Sequence, residues 1–166
     1  LRITATESLA TYYLAPLIPP FCKKYPDIAV TLESSNRRLN LEDREADIAI
    51  RPRRPKEDYL VGRRAGTIDW GIYCSAFYTE QGSVATKLSD LCGRNFVAWE
   101  TSNVSAGSSE WIEKEVPGSF IQAGSSSLFT NAELCANSDR LAALPCILGD
   151  RWNGLVPDTR RALLAD

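Results

Sequence analysis

The sequence of 166 residues contains no histidine, and this absence removes several kinds of chemistry. A Ser-His-Asp triad and a Cys-His dyad both need an imidazole, and a zinc site would have only thiolates and carboxylates as ligands. An enzyme would need Glu, Asp or Lys as its base; Glu7 and Glu100 are the pair that we keep as an alternative. We therefore expect no enzyme activity, no cofactor and no metal site.

The cysteines give no sign of a metal or disulfide framework. Their number is odd, no pair has CxxC spacing, and each lies in an apolar stretch: Cys22, Cys74, Cys92, Cys135 and Cys146. We expect buried, reduced thiols, which are typical of a cytosolic protein. A redox sensor or a metal site stays as the alternative.

Long apolar runs are lacking as well. No window approaches the roughly 18 consecutive apolar residues of a membrane span. The opening Leu1-Arg2-Ile3-Thr4 has no basic region followed by an apolar one, so no signal peptide is expected. These absences predict a cytoplasmic protein that does not contact a membrane.

The net charge of −2 is distributed unevenly. Residues 1–66 hold 12 basic and 9 acidic side chains, whereas residues 67–166 hold 7 basic and 12 acidic ones. The basic excess lies in residues 51–64, where Glu57-Asp58 and two prolines interrupt it. We interpret this segment as a solvated loop, because a nucleic-acid surface usually needs a strongly basic face with aromatic or helical support.

What the sequence does contain is an alternation of β-type and helix-type segments. Strands are expected at 2–5, 28–32, 47–50, 60–63, 70–74, 95–99, 120–123 and 141–145. Helices or helical turns are expected at 8–12, 15–25, 39–45, 88–92, 109–116, 125–137 and 146–150. This alternation predicts an α/β fold of two Rossmann-like lobes, with parallel strands and right-handed crossovers. We assign residues 1–66 to the first lobe, 67–153 to the second, and 154–166 to a return to the first.

The first long helix has apolar residues at the spacing of one helix face. Leu14, Leu17, Ile18 and Phe21 recur at i, i+3, i+4 and i+7, which predicts that they face the core. An exposed patch at an oligomer interface is the alternative. Because Pro19 and Pro20 lack an N–H group, we expect this helix to be kinked.

Two polar loops at predicted strand ends are candidate ligand sites. Residues 4–8 follow the first strand, and Gly124–Ser127 precede the helix at 125–137. Each loop combines backbone N–H groups with short hydroxyl side chains, and ligands of open α/β sheets bind beyond the carboxyl ends of strands. Simple capping of the helices by these hydroxyls is the alternative.

Four stretches, taken in order, carry a resemblance to a known family. They are Leu1-Arg2-Ile3-Thr4-Ala5-Thr6-Glu7-Ser8; Tyr13-Leu14-Ala15-Pro16-Leu17-Ile18-Pro19 with Tyr25-Pro26-Asp27-Ile28; Arg44-Glu45-Ala46-Asp47-Ile48-Ala49-Ile50-Arg51; and Leu144-Pro145-Cys146-Ile147-Leu148-Gly149-Asp150. Together they resemble the effector-binding domain of LysR-type transcriptional regulators over about residues 1–156.

The resemblance implies a fold like that of type II periplasmic-binding proteins, with a ligand cleft between the lobes. It implies the effector-sensing and oligomerisation domain of a bacterial regulator that binds a small metabolite, either a carboxylate or an aromatic compound. The regulator would be a homodimer or homotetramer, and it would contact DNA through an N-terminal helix-turn-helix that these residues do not include. A solute-binding protein of the same fold, which delivers its ligand to a transporter, is the alternative.

The resemblance also implies a set of ligand-binding residues. They are Thr4, Thr6, Ser8, Arg51, Thr67, Ile68, Glu100, Thr101, Ser102, Ser125 and Ser126. Glu7 departs from this picture, because a carboxylate in the first loop repels an anionic ligand unless it points away. A second departure follows Gly154-Leu155-Val156, where the family has a further strand and a closing helix. We hypothesise that a stretch between about Val156 and Pro157 is absent.

Overall fold

In the computed structural model of the protein, residues 1–36, 45–52, 55, 57–80, 85, 87–98 and 108–158 are described. Their contacts divide the chain into two compact units, Leu1–Ile68 and Asp69–Asp166. This division falls two residues after the boundary expected from the sequence. No helix among the described residues is both long and apolar enough to cross a membrane.

The first unit is built on a parallel sheet of three strands in the order β2-β1-β3. The strands are β1 (Arg2–Ala5), β2 (Thr31–Ser34) and β3 (Ile48–Ile50). In the central strand, Ala5 lies opposite Ser34 on one side and Ile50 on the other. The second strand was expected at 28–32 but begins at Thr31. A strand needs a partner for its hydrogen bonds, and the first residue of β1, Arg2, lies opposite Thr31.

A continuous helical run follows β1, whereas the sequence predicted a helical turn at 8–12 and a separate helix at 15–25. It consists of α1 (Glu7–Leu9), a π-helical turn (Ala10–Leu14), a 3-10 turn (Ala15–Leu17) and α2 (Ile18–Lys24). Three prolines at positions 16, 19 and 20 lack the N–H group that an α-helical ladder needs, so the hydrogen-bond spacing changes along the run.

The predicted core stripe of this run is correct only in part. Leu14 is buried in the first core, which is formed by Ala5, Leu9, Ala10 and Leu14 with Ile3, Leu32, Ile50 and Ile68 against it. Leu17 is 52% exposed. The prediction for Leu17 was wrong because a stripe at i, i+3, i+4 and i+7 assumes 3.6 residues per turn throughout.

Two further expectations for the first unit have different outcomes. The helix at 39–45 falls almost entirely outside the described residues. The strand at 60–63 is not formed, and residues 60–69 belong to no helix or strand. Val61 is fully exposed, and the segment pairs with no strand among the described residues.

The second unit contains a mixed sheet of five strands in the order β6-β5-β7-β4-β8. They are β4 (Trp70–Ser75), β5 (Asn95–Ala98), β6 (Phe120–Gly124), β7 (Leu141–Pro145) and β8 (Leu155–Pro157). Strands β6 and β7 are parallel to β5, whereas β7 and β8 are antiparallel to β4. Four of the expected strands are therefore present, but the sheet is not wholly parallel as the alternation predicted.

Four helical segments of the second unit lie close to their predicted positions, whereas α3 (Ala76–Glu80) was not predicted from the sequence. The four are a 3-10 turn (Leu88–Leu91), α4 (Ser108–Glu115), α5 (Leu128–Ala136) and α6 (Cys146–Gly149). The core contains Ile72, Leu91, Phe96, Ile112 and Leu141, all nearly inaccessible to solvent. These side chains come from strands β4, β5 and β7 and from the helices that cover them.

The five cysteines are free thiols, but they are not all buried. Cys74, Cys135 and Cys146 are buried as expected, whereas Cys22 is half-buried and Cys92 is exposed. Cys92 directly follows the 3-10 turn at Leu88–Leu91, and a short turn at the surface exposes its end whatever its composition. The expectation of burial was wrong for this residue.

The described end of the chain lies in the second unit. Val156 pairs with Cys74 in the β4–β8 ladder, and the Asp158 N–H group donates to the Ile72 carbonyl at 2.9 Å. Residues 154–158 were expected to return to the first lobe, but they pack on β4. Strand β8 pairs with the backbone N–H and C=O groups on the edge of β4 that β7 leaves open. Residues 159–166 lie outside the described part of the chain, and the absence of a stretch near Val156 stays a hypothesis.

Candidate functional site

Polar residues follow each strand of the first sheet at its carboxyl end. Thr6 follows β1, Ser35 follows β2 and Arg51 follows β3. Because the strands are parallel, these three ends share one edge of the sheet, which is where open α/β sheets bind ligands. This edge is the candidate site of the first unit.

Arg51 connects the three strands at this edge. Its Nη2 atom donates to Thr4 Oγ1 at 2.7 Å, and its Nη1 atom donates to the Ser35 carbonyl at 2.5 Å. The side chain is half-buried. The structure thus gives Arg51 two protein acceptors, and it fixes a positive charge at the edge where a ligand would bind.

The three hydroxyl residues of the first loop differ in exposure. Thr4 is fully buried and Ser8 is 4% exposed, whereas Thr6 is half-buried. Thr6 stands at the N-cap of α1, but its hydroxyl makes no capping hydrogen bond. Of the three, Thr6 is therefore the one that a ligand can reach without rearrangement.

Asn36 and Ser35 belong to this edge and were missed by the sequence interpretation. The Glu7 N–H group donates to Asn36 Oδ1 at 3.5 Å, which holds the start of α1 against the segment after β2. The signal for them was their position after a predicted strand, but that strand was placed too early. Glu7 is half-buried, so the edge carries a carboxylate as well as the Arg51 guanidinium.

Thr67 and Ile68 lie in the irregular segment that precedes β4. Thr67 is exposed, whereas Ile68 packs against the core of the first unit. Glu100, Thr101 and Ser102 lie outside the described residues.

The loop between β6 and α5 is the candidate site of the second unit. Ser127 caps α5, since its Oγ atom accepts a hydrogen bond from the Thr130 N–H group at 3.4 Å. Ser125 Oγ accepts from the Ser127 N–H group at 3.1 Å. The capping interpretation is therefore confirmed for Ser127, while Ser126 is exposed beside it.

Gly124 and Asn131 contact this loop and fix its conformation. A Cβ atom on Gly124 would lie 2.1 Å from the Ala98 carbonyl oxygen, so only glycine allows β6 to end this close to β5. Asn131 is 1% exposed and donates through Nδ2 to the Ser125 carbonyl at 3.0 Å. Its Oδ1 atom has no hydrogen-bond partner among the described residues. Asn131 was missed, although a polar residue on the apolar face of α5 was a visible signal.

A buried ion pair lies elsewhere in the second unit. Asp158 accepts a hydrogen bond from the Ala85 N–H group at 3.2 Å, and Arg94 Nη1 lies 3.9 Å from its Oδ2 atom. Burial raises the pKa of the Asp158 carboxyl, and the Ala85 N–H group and Arg94 offset part of this effect. Arg94 also donates to the Tyr78 hydroxyl at 3.0 Å. The contact between Asp158 and Arg94 joins the residue after β8 to the residue before β5.

Tyr73 makes a further buried polar contact in the second unit. Its hydroxyl donates to Asp150 Oδ1 at 2.6 Å, and burial is the main cause that raises the pKa of Tyr73. Its ring fills the space that Gly149 leaves, where a Cβ atom would lie 2.3 Å from the ring. No group of three or more potential metal ligands is present among the described residues.

An open cavity of about 390 Å³ lies on the second unit between α5 and strands β5 and β6. Its lining contains none of the residues predicted from the sequence; it comprises Val97, Ala123, Thr130, Glu133, Leu134, Asn137, Ser138 and Arg140. At its rim, Arg140 donates through Nε to Gln122 Oε1 and through Nη1 to Asp139 Oδ1, both at 3.1 Å.

Comparison with known sequences identifies a family and several relatives. A family model described as the LysR substrate binding domain matches residues 1–157. An HTH-type transcriptional regulator of Xanthomonas campestris pv. campestris is 33% identical over 81 residues, which are 49% of this chain and 24% of that protein. The Mau operon transcriptional activator of Paracoccus denitrificans is 31% identical over 71 residues, which are 43% and 25% of the two chains. The chain thus spans about a quarter of the length that these curated relatives have.

Comparison with solved structures supports the same fold. The regulatory domain of CrgA, a LysR-type transcriptional regulator from Neisseria meningitidis, has a TM-score of 0.73 at 22% identity and covers 95% of this chain and 79% of that one. The CcmR regulatory domain of Synechocystis PCC6803, in complex with 2-PG, has a TM-score of 0.80 at 17% identity and covers 96% and 80%. At these identities the likeness confirms the predicted fold class.

Proposed function

This chain belongs to the LysR substrate-binding domain family, and we propose that it is the effector-sensing domain of a bacterial LysR-type transcriptional regulator. The family match over residues 1–157 carries this proposal. The curated relatives are named as transcriptional regulators, which does not favour a solute-binding protein. In the proposal, the regulator works in the cytoplasm and contacts DNA through a separate helix-turn-helix part.

We propose that a polar strand end in each unit is a place of effector contact. In the first unit, Thr6 and Arg51 are the contact residues, since both are accessible at the carboxyl edge of the sheet. In the second unit, Ser125 and Ser126 precede α5, whose N-terminus favours negative charge. Glu100, Thr101, Ser102 and Thr67 stay proposed contacts, whereas Ile68 contributes apolar packing.

The chemistry of these groups suggests the class of effector. A guanidinium, a helix N-terminus and short hydroxyls all favour a small carboxylate, and the hydroxyls of the serines and Thr6 can also bond to a hydroxyl substituent. The CcmR regulatory domain, which shares the fold, is described in complex with 2-PG. We propose no catalytic step and no cofactor for this site.

Effector binding would act on the oligomeric state. We propose that the homodimer or homotetramer has two states of different shape. The effector shifts the equilibrium between these states only if it binds them with different affinities. The exposed apolar side chains of the first helical run support an oligomer: Tyr13 is 57% exposed and Leu17 is 52% exposed. We expect Leu17→Glu to weaken association in light-scattering chromatography. The control Val61→Glu, at a fully exposed apolar residue outside this helical run, should leave association unchanged.

A thermal-shift screen of the chain against small carboxylates, aromatic acids, amino acids and sugars tests the proposed function. A ligand at 100 times its Kd adds about 2.7 kcal/mol to the free energy of unfolding. Each hit is then measured by calorimetric titration with Arg51→Ala and Ser126→Ala, which should weaken binding. Arg63→Ala removes an exposed arginine of the same unit and is the matched control. A hit that ignores both substitutions, or no hit in any class, would contradict this site.

A further inference from the structure

Arg51 does not extend away from the edge of the sheet but turns back over the central strand. It follows β3, whose last residue, Ile50, lies opposite Ala5. Its guanidinium nevertheless reaches Thr4, one residue further back along β1, and also the carbonyl of Ser35 beyond β2. The side chain therefore spans the width of the three-stranded sheet.

Both terminal nitrogens of this guanidinium are held by different chain segments. Thr4 is 47 residues away in sequence and Ser35 is 16 residues away. Two bonds to separate segments fix both the position and the rotation of a planar guanidinium. Arginine otherwise loses a large side-chain entropy when it is ordered, so a site that orders it in advance binds an anion more tightly.

The hydroxyl of Thr4 is suited to holding Arg51 and not to meeting a ligand. Thr4 is fully buried, so its Oγ1 atom cannot reach a ligand at the edge. The bond of 2.7 Å to a charged donor is in the short range expected for a charge-assisted hydrogen bond. A hydroxyl can accept this bond, whereas the isosteric methyl group of valine cannot.

We propose that Thr4 is a positioning residue, which holds the Arg51 guanidinium in place at the carboxyl edge of the first sheet for recognition of an anionic effector. The anion recognition rests on the proposed function, whereas the positioning of Arg51 does not. This assignment replaces the direct ligand contact that the resemblance implied for Thr4.

Phenylglyoxal modification, followed by peptide mapping, measures the positioning without any ligand. The reagent reacts with accessible guanidinium groups, and the full chain supplies two internal references: Arg63 is exposed, and the Arg94 side chain is 17% exposed in the second unit. We expect Thr4→Val to raise the rate at Arg51, relative to Arg63, by about tenfold, since one charge-assisted hydrogen bond is lost. The conservative variant Thr4→Ser keeps the acceptor and should retain the wild-type rate.

If phenylglyoxal modifies Arg51 in Thr4→Val at the wild-type rate, the proposal is overturned. If the rate at Arg94 rises together with that at Arg51, the valine has disturbed the fold. Thr4→Ala, which removes the same acceptor without added bulk, then decides the question by the same comparison.

Benzoate titration, followed by NMR, tests the second part of the proposal. We expect Thr4→Val to raise the Kd for benzoate about tenfold and Thr4→Ser to leave it near the wild-type value. Equal benzoate affinity in Thr4→Val and wild type, at a raised Arg51 modification rate, would overturn the role in recognition. If wild type binds neither benzoate nor any acid of the screen, the proposed function fails, while the modification rates still decide the role of Thr4.

Discussion

Replacing Gly124 by alanine tests how closely the ends of β5 and β6 approach each other. Gly124 is the last residue of β6 and pairs with Ala98, the last residue of β5. Its φ angle is not positive, so alanine meets no conformational penalty there. The added methyl group would instead lie 2.1 Å from the Ala98 carbonyl oxygen.

The cost of this substitution follows from the distance. Carbon–oxygen contacts between neighbouring strands are normally about 3.3–3.6 Å, so the two strand ends must separate by about 1 Å or more. Overpacking of this kind costs about 1–3 kcal/mol, and backbone relaxes less easily than the end of a side chain. A loss of about 2 kcal/mol corresponds to a fall in Tm of roughly 4–8 °C for a chain of this size.

Thermal unfolding followed by circular dichroism measures this effect against a matched control. Gly66→Ala makes the same chemical change at a glycine whose φ is not positive, and no atom lies within 4 Å of the place that the new methyl group would take. We expect Gly66→Ala to be neutral or to stabilise by about 0.4–1 kcal/mol through the unfolded chain. If Gly124→Ala unfolds within about 1 °C of Gly66→Ala, the close approach of β5 and β6 is refuted.

Two further predictions concern buried titratable groups of the second unit. Burial raises the pKa of Asp158, so the folded state holds this proton more tightly than the unfolded chain, where the pKa is about 3.9. The contribution of Asp158 to the free energy of unfolding should therefore fall as the pH rises from about 4 through the raised pKa. Urea unfolding at several pH values measures this dependence, and Asp158→Asn should remove it. An unchanged pH dependence in Asp158→Asn would show that Asp158 is not its source. Burial also raises the pKa of the Cys74 and Cys135 thiols to about 12. Iodoacetamide near pH 8 should therefore alkylate exposed Cys92 at least about tenfold faster than either, and similar rates would contradict their burial.

The strands of the second unit were the most predictable part of the fold. Leu141–Pro145 is an unbroken apolar run, and all five of its residues are buried in the middle of the sheet. The cap at Ser127 was also predictable, because it depends on a contact three residues along the chain. In both cases the information lies in neighbouring residues.

Predictions that assumed a regular element or a particular partner were less successful. The stripe of Leu14 and Leu17 assumed an unbroken α-helix, and the π-helical and 3-10 turns rotate later side chains away from that face. The segment at 60–63 has the residues of a strand, but it belongs to neither sheet in the part of the chain that the structure describes. Strand composition alone does not supply a partner.

The sequence by itself determined the alternation of strands and helices, the capping of α5 and the membership in a family, because each depends on residue types at short spacing. Only the tertiary structure decided that Arg51 bonds to Thr4 and Ser35, that the Thr4 side chain is buried, and that β8 pairs with β4. These contacts join residues 16 to 82 positions apart. They depend on which strands become neighbours and in what register, and local residue preferences do not fix either.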